Sequence, residues 1–201
     1  MKNRKCFYGI IAIVAVCLFT ACASGPREVP EEFLVEIRDI EVLPDEFGLA
    51  GNPNFGRTIA PDGQEAFFVE NGKNRLRGSD ERWLITGLFI RPGNFRGFTR
   101  MSVDIAADNA DLINDFYRFI ARVRGPAFDF RDFNRNNEWA MFKRVAAQNP
   151  TQFHTFEWDI EDPSGRGNPD FSRVDDIWLL FIGSAEEIPG RIYFRNLRFL
   201  R

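Results

Sequence analysis

From residue 33 onward this sequence is a series of short segments in which apolar and polar residues alternate. An apolar residue at every second position is the period of a β-strand that buries one face. The alternating or mostly apolar segments are Phe33 to Ile37, Phe67 to Val69, Trp83 to Ile90, Met101 to Ile105, Phe156 to Ile160 and Ile192 to Leu200. Clusters of Gly, Pro, Asn and Asp separate them. Many short strands joined by such turns predict an all-β fold, specifically an antiparallel β-sandwich.

Two runs near the end of the sequence give more detail about the sheets. Ile177 to Ile182 is apolar throughout, as in a strand that is covered on both faces. The run from Ile192 to Leu200 changes phase at Arg195-Asn196, which predicts a β-bulge. The predicted core includes Val103, Ile105, Trp158, Ile160, Trp178, Leu180 and Phe194.

Residues 108–123 fit two patterns. A helical stripe, which Asp108 or Asn109 could cap, is formed by Leu112, Ile113, Phe116, Ile120 and Val123. A strand pattern is formed by Tyr117, Phe119, Ala121 and Val123. We favour a loop from Asp108 to Asp115 followed by a strand from Phe116 to Val123, and the helix remains the alternative.

The beginning of the sequence differs in composition from the rest. Three basic residues precede an apolar run from Phe7 to Phe19, which is the order of a secretory signal peptide. The run is shorter than the membrane span of about 20 residues that a helix needs. The next residues, Phe19-Thr20-Ala21-Cys22, resemble the lipobox of bacterial lipoproteins, with Phe19 where Leu is usual.

This resemblance implies that the chain is cut before Cys22 and that the Cys22 thiol receives a lipid. The protein is then anchored in a membrane through Cys22, on the periplasmic side or at the cell surface. We predict a helical signal peptide over residues 1–21, a lipidated tether over 22–32 and a single β-sandwich domain over 33–201.

Charge and cysteine content exclude several functions. Residues 1–21 hold three of the 26 basic residues and none of the 29 acidic ones, so 23 basic and 29 acidic residues remain, a net charge of −6. Nucleic acid is therefore not an expected partner, because phosphate binding needs a basic excess. The three cysteines are Cys6, Cys17 and Cys22, all before the predicted domain. A disulfide, a Cys-ligated zinc ion and a Cys nucleophile are excluded within the domain.

Three stretches of the domain carry a second resemblance. They are Arg96 to Ile105, Asp170 to Gly183, which begins Asp-Phe-Ser before an apolar strand, and Gly190 to Phe199. Their order and motifs resemble the galactose-binding-like jelly rolls that are common among carbohydrate-binding modules. The resemblance lies mainly in the second half of the chain, and it implies a jelly-roll sandwich that binds carbohydrate without catalysis.

One position departs from this family. Where the closing strand commonly has an Asp, this sequence has Arg195. In the family that Asp often holds a structural calcium ion together with an acidic residue near the first strand, here Glu41 by position. Because a guanidinium group repels cations, we expect no calcium there and an internal pair of Arg195 with Glu41 or with an Asp. No metal and no cofactor are predicted.

Catalytic patterns are weak in this sequence. His154 is the only histidine and no Gly-x-Ser-x-Gly element is present, so His154 is interpreted as a surface or packing residue. A glycosidase needs two facing carboxylates, and no pair stands out. Glu157 and Asp159 lie on one face of a predicted strand and are interpreted as solvated. We predict that the protein is not an enzyme.

A calcium-loop spacing is also present. Asp132, Asn134 and Asn136 have the spacing of the first ligands of an EF-hand. The sixth and twelfth positions are Asn137 and Lys143, where such a loop has Gly and a bidentate Glu. An ordinary polar loop is therefore favoured over a calcium site.

The stretch between Phe128 and Trp139 mixes aromatic and polar residues, as sugar-binding loops do. Aromatic faces stack on sugar rings, while amide, carboxylate and guanidinium groups bind hydroxyl groups, and loops on a rigid scaffold often carry function. As a binding loop it would use Trp139, Phe130, Phe133, Arg131, Asn134 and Arg135. The alternative, which the pattern favours, is that the aromatic residues attach a long loop to the sandwich.

We therefore expect a lipid-anchored envelope protein that binds carbohydrate or a cell-wall polymer without catalysis. The alternative is an interaction or assembly component with an envelope protein as partner, because the sandwich distantly resembles the outer-layer proteins of periplasmic flagella. Glycan binding predicts exposed aromatic residues along a groove, and assembly predicts a flat apolar patch of about several hundred Å².

Lipidation predicts that the Cys22→Ala variant no longer incorporates labelled palmitate and leaves the membrane fraction, because the thiol is the acceptor. The measurement is metabolic labelling followed by cell fractionation. Cys6→Ala, which removes another cysteine of the leader, should label normally. Unchanged labelling of the Cys22→Ala variant would rule out lipidation at this residue.

Overall fold

The computed structural model describes residues 30–35, 55–70, 82–88, 95–125, 130–160, 174, 176–183 and 188–201. For residues 55, 82–88, 130–134, 176, 178 and 180 the description is of the backbone. The signal segment with Cys22, the residue Glu41 and the residue Phe128 lie outside the described residues.

The elements in this part of the chain are strands, with two helices in the middle. In chain order they are β1 (Glu32–Val35), β2 (Phe55–Ile59), β3 (Glu65–Glu70), β4 (Arg82–Leu88), β5 (Arg100–Ala107), α1 (Ala110–Asp115), β6 (Phe116–Arg124), β7 (Phe130–Asn134), α2 (Asn136–Ala146), β8 (His154–Asp159), β9 (Asp176–Gly183) and β10 (Arg191–Leu200). The strands form two sheets, and every pairing between strands is antiparallel. The predicted all-β antiparallel sandwich is confirmed.

The six-stranded sheet is built around β10. Its strand order is β2-β3-β10-β5-β8, and β1 also pairs with β10. β3 pairs with the first half of β10, from Arg191 to Phe194, and β1 pairs with the second half, from Leu197 to Leu200. β5 follows the opposite edge along both halves. The three neighbours of β10 therefore hold this sheet together.

A bulge separates the two halves of β10, as the change of phase predicted. The register against β5 shifts between Arg195 and Arg198. Asn196 has a φ of 51°, in the left-handed region that Asn tolerates better than most residues. Its side-chain amide donates a hydrogen bond to Asp104 Oδ2 at 2.7 Å, which fixes the bulge to β5.

The four-stranded sheet has the order β4-β9-β6-β7. On β6, Phe119, Ala121 and Val123 belong to the core between the sheets, and on β9 Ile177, Leu179 and Phe181 do the same. Ile182, the neighbour of Phe181, is fully buried as well. At Ile182, therefore, the outer side of β9 is covered as well as the core side.

Aromatic rings fill the space between the two sheets. Phe119 lies at the centre of the cluster, with its ring centroid 4.8 Å from Phe156, 5.3 Å from Phe181 and 5.5 Å from Trp158. Burial of each such side chain contributes roughly 1.5–3 kcal/mol. Of the predicted core, the residues confirmed as buried are Val103, Ile105, Trp158, Ile160 and Phe194. The side chains of Trp178 and Leu180 lie outside the description.

Residues 108–123 combine the two patterns of the sequence. The strand predicted from Phe116 is present as β6, but the segment before it is the helix α1 rather than a loop. Asn109 caps α1, since its side-chain oxygen accepts a hydrogen bond from the Leu112 amide at 2.8 Å. Leu112 and Ile113 are buried, which explains why one turn of helix forms here.

The described part of the stretch between Phe128 and Trp139 is β7 and the first turn of α2 rather than a loop, so the expectation of a loop was wrong for these residues. Asp132 and Asn134 lie on the strand and Asn136 begins the helix, so the three do not share a loop of the EF-hand kind. On α2, Trp139, Phe142 and Ala146 are buried at helical spacing. No helix in the described residues is long and apolar enough to cross a membrane.

Replacing Phe119 by Ala should lower the free energy of unfolding by about 3–5 kcal/mol, because it leaves a cavity at the centre of the aromatic cluster. Urea denaturation followed by tryptophan fluorescence measures this change. Met141→Ala, a change at a side chain that is 67% exposed, should stay within about 0.5 kcal/mol of the parent. Equal effects of the two substitutions would contradict this core.

Candidate functional site

The predicted ligand residues Phe130, Arg131, Phe133 and Asn134 all lie on β7. This strand pairs with β6 in a register that sets Arg131 and Phe133 opposite the core residues Val123 and Ala121. Phe130 and Asn134 are opposite Arg124 and Ile120. Because successive residues of a strand belong to opposite faces, the four residues do not share one surface. Positions 130 and 134 belong to the outer face, and positions 131 and 133 belong to the core face.

Trp139 is a core residue, and its assignment as the ligand anchor was wrong. Its side chain is 1% exposed, and its ring stacks between Phe119, at 5.5 Å, and Phe142, at 5.1 Å. The indole nitrogen donates a hydrogen bond to the Phe116 carbonyl at 2.8 Å. Trp139 therefore attaches this segment to the sandwich, which is the alternative that the sequence pattern favoured.

Arg135 is also part of the scaffold rather than of an exposed surface. It is 7% exposed, and its guanidinium group donates a hydrogen bond to the Asp159 carbonyl at 2.8 Å. Its backbone amide bonds to the Phe119 carbonyl at 3.3 Å, directly after β7. Arg135 thus joins the end of β7 to the end of β8 across the two sheets, and its prediction as a ligand contact was wrong.

The outer face of the four-stranded sheet is the candidate site. On β6, the residues between the core positions are Arg118, Ile120, Arg122 and Arg124, and β9 adds Ile182 to the same face. The three arginines are half-buried, while Ile120 and Ile182 are buried. We call this set the β6 arginine face. Guanidinium groups beside buried apolar side chains can bind oxygen atoms of a ligand and also cover its apolar parts.

The strand register sets further polar and aromatic positions beside these arginines. Arg122 is opposite Asp132 of β7 and Trp178 of β9. Arg124 is opposite Phe130 of β7 and Asp176 of β9. The residue types that sugar recognition uses, namely aromatic, carboxylate and guanidinium groups, therefore meet at adjacent positions of this sheet.

On the outer face of the six-stranded sheet, charged groups of opposite sign bind one another. Arg100 pairs with Glu157 at 2.6 Å, and Arg198 pairs with Glu32 at 3.0 Å. Glu157 is exposed, as the sequence indicated. Asp104 accepts hydrogen bonds from the Thr155 hydroxyl at 2.7 Å and from Asn196. These contacts link β1, β5, β8 and β10, so this face has a structural role.

Arg195 pairs with an Asp, one of the two arrangements that the sequence suggested. Its guanidinium group lies 2.8 Å from Asp62 Oδ2, donates a hydrogen bond to Gln64 Oε1 at 3.2 Å, and lies 3.7 Å above the Phe153 ring. One cation therefore ties the β2–β3 turn and the segment before β8 to the bulge of β10. Glu41 lies outside the described residues.

Two ionisable groups have shifted pKa values. Burial, helped by a 2.6 Å hydrogen bond to Asp108, raises the pKa of Tyr193 to about 12. Burial also lowers the pKa of Lys143, against the opposing charge of Asp115. Tyr193 holds Asp108 at the start of α1, and Lys143 donates a hydrogen bond to the Asn114 carbonyl at the end of α1. Both groups serve the packing of the helices.

The described contact of the His154 ring is with the backbone: its Nε2 lies 3.2 Å from the Asn149 carbonyl, in the segment before β8. Among the described residues, no group of three or more His, Cys, Asp or Glu side chains is arranged to hold a metal ion.

Comparison with known proteins defines the class of fold. No protein-family model and no curated protein sequence matches this chain. A family 28 carbohydrate-binding module, described as specific for non-crystalline cellulose, has a TM-score of 0.51 at 12% identity, over 82% of this chain and 88% of the module. The CBM27-1 module of Caldicellulosiruptor saccharolyticus, solved with mannohexaose, has a TM-score of 0.50 at 11% identity, over 86% of this chain and 98% of the module.

A third solved structure, the family 11 module of Clostridium thermocellum in complex with a β-1,3-1,4-mixed-linked tetrasaccharide, has a TM-score of 0.49 at 11% identity, over 84% of this chain and 95% of the module. The family 27 and family 28 likenesses show that the domain has the jelly-roll sandwich of carbohydrate-binding modules. The fold that the sequence motifs implied is confirmed.

Sequence reasoning did not identify the β6 arginine face. The signal was present, because Arg118, Arg122 and Arg124 fall at even spacing in a strand whose other positions are apolar. The strand was predicted from the apolar residues that alternate with these arginines, but the arginines themselves were not considered as a ligand surface. Pairing with Trp178 and Asp132 depends on sheet order, which alternation within one strand does not determine.

Replacing Trp139 by Phe should lower the free energy of unfolding by about 1–3 kcal/mol, because the buried Phe116 carbonyl loses its indole donor. Thermal or urea unfolding measures this loss. Ala140→Ser, an exposed change at the next position of α2, is the control and should have little effect. A Trp139→Phe variant with unchanged stability would argue that the ring is free to face a ligand.

Proposed function

We propose that this protein is a non-catalytic carbohydrate-binding module held at the surface of a membrane by a lipid on Cys22. The β6 arginine face is the proposed binding surface. The signal segment and lipobox-like residues of the sequence support the anchor, and the jelly-roll fold supports the binding activity. The position is the periplasmic side of a membrane or the cell surface, where cell-wall polymers and other glycans are within reach of a tethered domain.

The observation that carries the binding proposal is the strand register on the outer face of the four-stranded sheet. Arg122 lies between the register positions of Trp178 on β9 and Asp132 on β7. Stacking on an aromatic ring together with a two-donor guanidinium group is a common way to hold a sugar. The similar family 27 module is solved with mannohexaose, which supports the same class of ligand here.

The alternative, an assembly component, finds less support in the described residues. Assembly predicted a contiguous exposed apolar patch. The large apolar side chains that are exposed in this part of the chain are distributed over β1, β2, β6 and α2: Phe33, Leu34, Ile59, Tyr117, Met141 and Val145. Met141 and Val145 are one helical turn apart on α2, which makes the α2 surface the place to test for a protein partner.

The full-length protein, solubilised in detergent, should bind at least one member of a panel of soluble glucomannan, mixed-linkage glucan, polygalacturonate and peptidoglycan fragments. Affinity electrophoresis and isothermal titration calorimetry measure binding. Arg122→Ala should weaken binding about tenfold or more, because the variant loses the charge-assisted hydrogen bonds that the guanidinium group donates to the sugar. Arg144→Ala, an exposed arginine on α2, should bind normally.

The unfolding temperature of both variants should stay close to that of the parent, so that a loss of binding reports on the site. Failure of the parent protein to bind any glycan of the panel would contradict the proposal. Normal binding by Arg122→Ala would place the site elsewhere on the domain.

A further inference from the structure

Arg118 differs from the other arginines of the β6 arginine face in its neighbours. Arg122 and Arg124 are opposite the acidic positions Asp132 and Asp176 in the strand register. Arg118 is opposite Ile182 of β9, a fully buried apolar residue. Strand β7 ends opposite Ile120 and does not extend beside Arg118. No acidic residue therefore takes a register position next to Arg118 in the described strands.

The Nε atom of Arg118 is buried and has no hydrogen-bond partner among the described residues. A buried donor without a partner is uncommon in folded proteins, and each such group calls for a specific explanation. The residue as a whole is half-buried, so part of it remains accessible to solvent. A cation beside Ile120 and Ile182 is in surroundings of low polarity, where attraction to an anion is stronger than in water.

The negative net charge of the protein disfavours nonspecific binding of polyanions, so that an anion binds at Arg118 only through direct contacts. The chain after residue 21 has a net charge of −6, so its long-range field repels polyanions rather than attracting them. The β6 arginine face is locally positive, because it carries three guanidinium groups while the opposite register positions carry two acidic residues. An acidic ligand therefore has to be recognised by contact at this face, since general attraction to the protein is absent.

We propose that the glycan bound at the β6 arginine face is acidic, a uronic-acid polymer whose carboxylate group is held by Arg118. This inference rests on the proposed carbohydrate-binding function and names the substrate class of the same site. A carboxylate matches the planar fork of a guanidinium group in two parallel hydrogen bonds, which the accessible part of the Arg118 side chain can donate. Arg122 lies four residues further along β6, about 13 Å away, and contacts a different sugar unit of the same polymer.

The test compares polygalacturonate with the same polymer fully methyl-esterified, which keeps the sugar backbone and removes the charge. The full-length protein in detergent should bind the acidic form about tenfold or more tightly, measured by calorimetry at low ionic strength. Raising the salt concentration to about 0.5 M should reduce this preference, because screening weakens contact between partly exposed charges. Arg118→Gln should bring the ratio of the two affinities close to one.

The controls separate the possible results. Arg144→Gln makes the same change of charge on α2, outside the face, and should keep the preference. Dextran sulfate reports on general binding of polyanions, and equal retention of dextran sulfate and polygalacturonate would overturn the proposal of carboxylate recognition. Equal affinity of the parent protein for the acidic and esterified polymers would also overturn it, while leaving carbohydrate binding intact. Absence of binding to every glycan tested would instead contradict the proposed function itself.

Discussion

The packing of aromatic rings against Phe119 is the interaction on which this sandwich depends. Phe119 comes from the four-stranded sheet, and the rings around it come from β8 of the other sheet, from β9 beside it and from helix α2. The cluster therefore sets the distance between the sheets and the position of α2 at the same time. Since Phe119 alternates with Arg118 and Ile120 along β6, it also holds the outer face of that strand in place. A binding surface on a strand fixed in this way needs little reorganisation when a ligand arrives.

The strands could be predicted from the sequence because their evidence is local. Alternation at Met101–Ile105 and Phe156–Ile160 reports directly on which side of a strand is buried, and the phase change at Arg195-Asn196 reports on a bulge. The function of Trp139 could not be predicted in the same way. An aromatic residue among polar ones has the same local pattern whether its ring faces a ligand or the core. In this protein the partners that decide the question, Phe116 and Phe119, lie about twenty residues earlier, on strand β6.

The candidate site could likewise be predicted from the sequence only in part. That Arg118, Arg122 and Arg124 share a face follows from alternation once β6 is known to be a strand. That Arg122 lies beside Trp178 and Asp132 follows only from the order of strands in the sheet, which pairs β6 with β9 and β7. In the sequence, Arg122 is more than fifty positions from Trp178 and ten positions from Asp132. A site formed by residues from several strands can therefore be identified once the strand order is known, but not from the alternation within one strand.

The pairing of β1 with the second half of β10 determines how this domain bears mechanical load. β1 is the first strand described in the chain, and its four residues, Glu32 to Val35, pair in register with Leu200 to Leu197. A pull on the preceding segment along the strand direction loads all the hydrogen bonds of this short ladder together, so the ladder resists as a unit. A pull at right angles to the strand opens the bonds one after another, beginning with the bond from the Arg201 amide to the Glu31 carbonyl, at 3.1 Å. The ion pair of Arg198 with Glu32 lies at the next position that such peeling reaches.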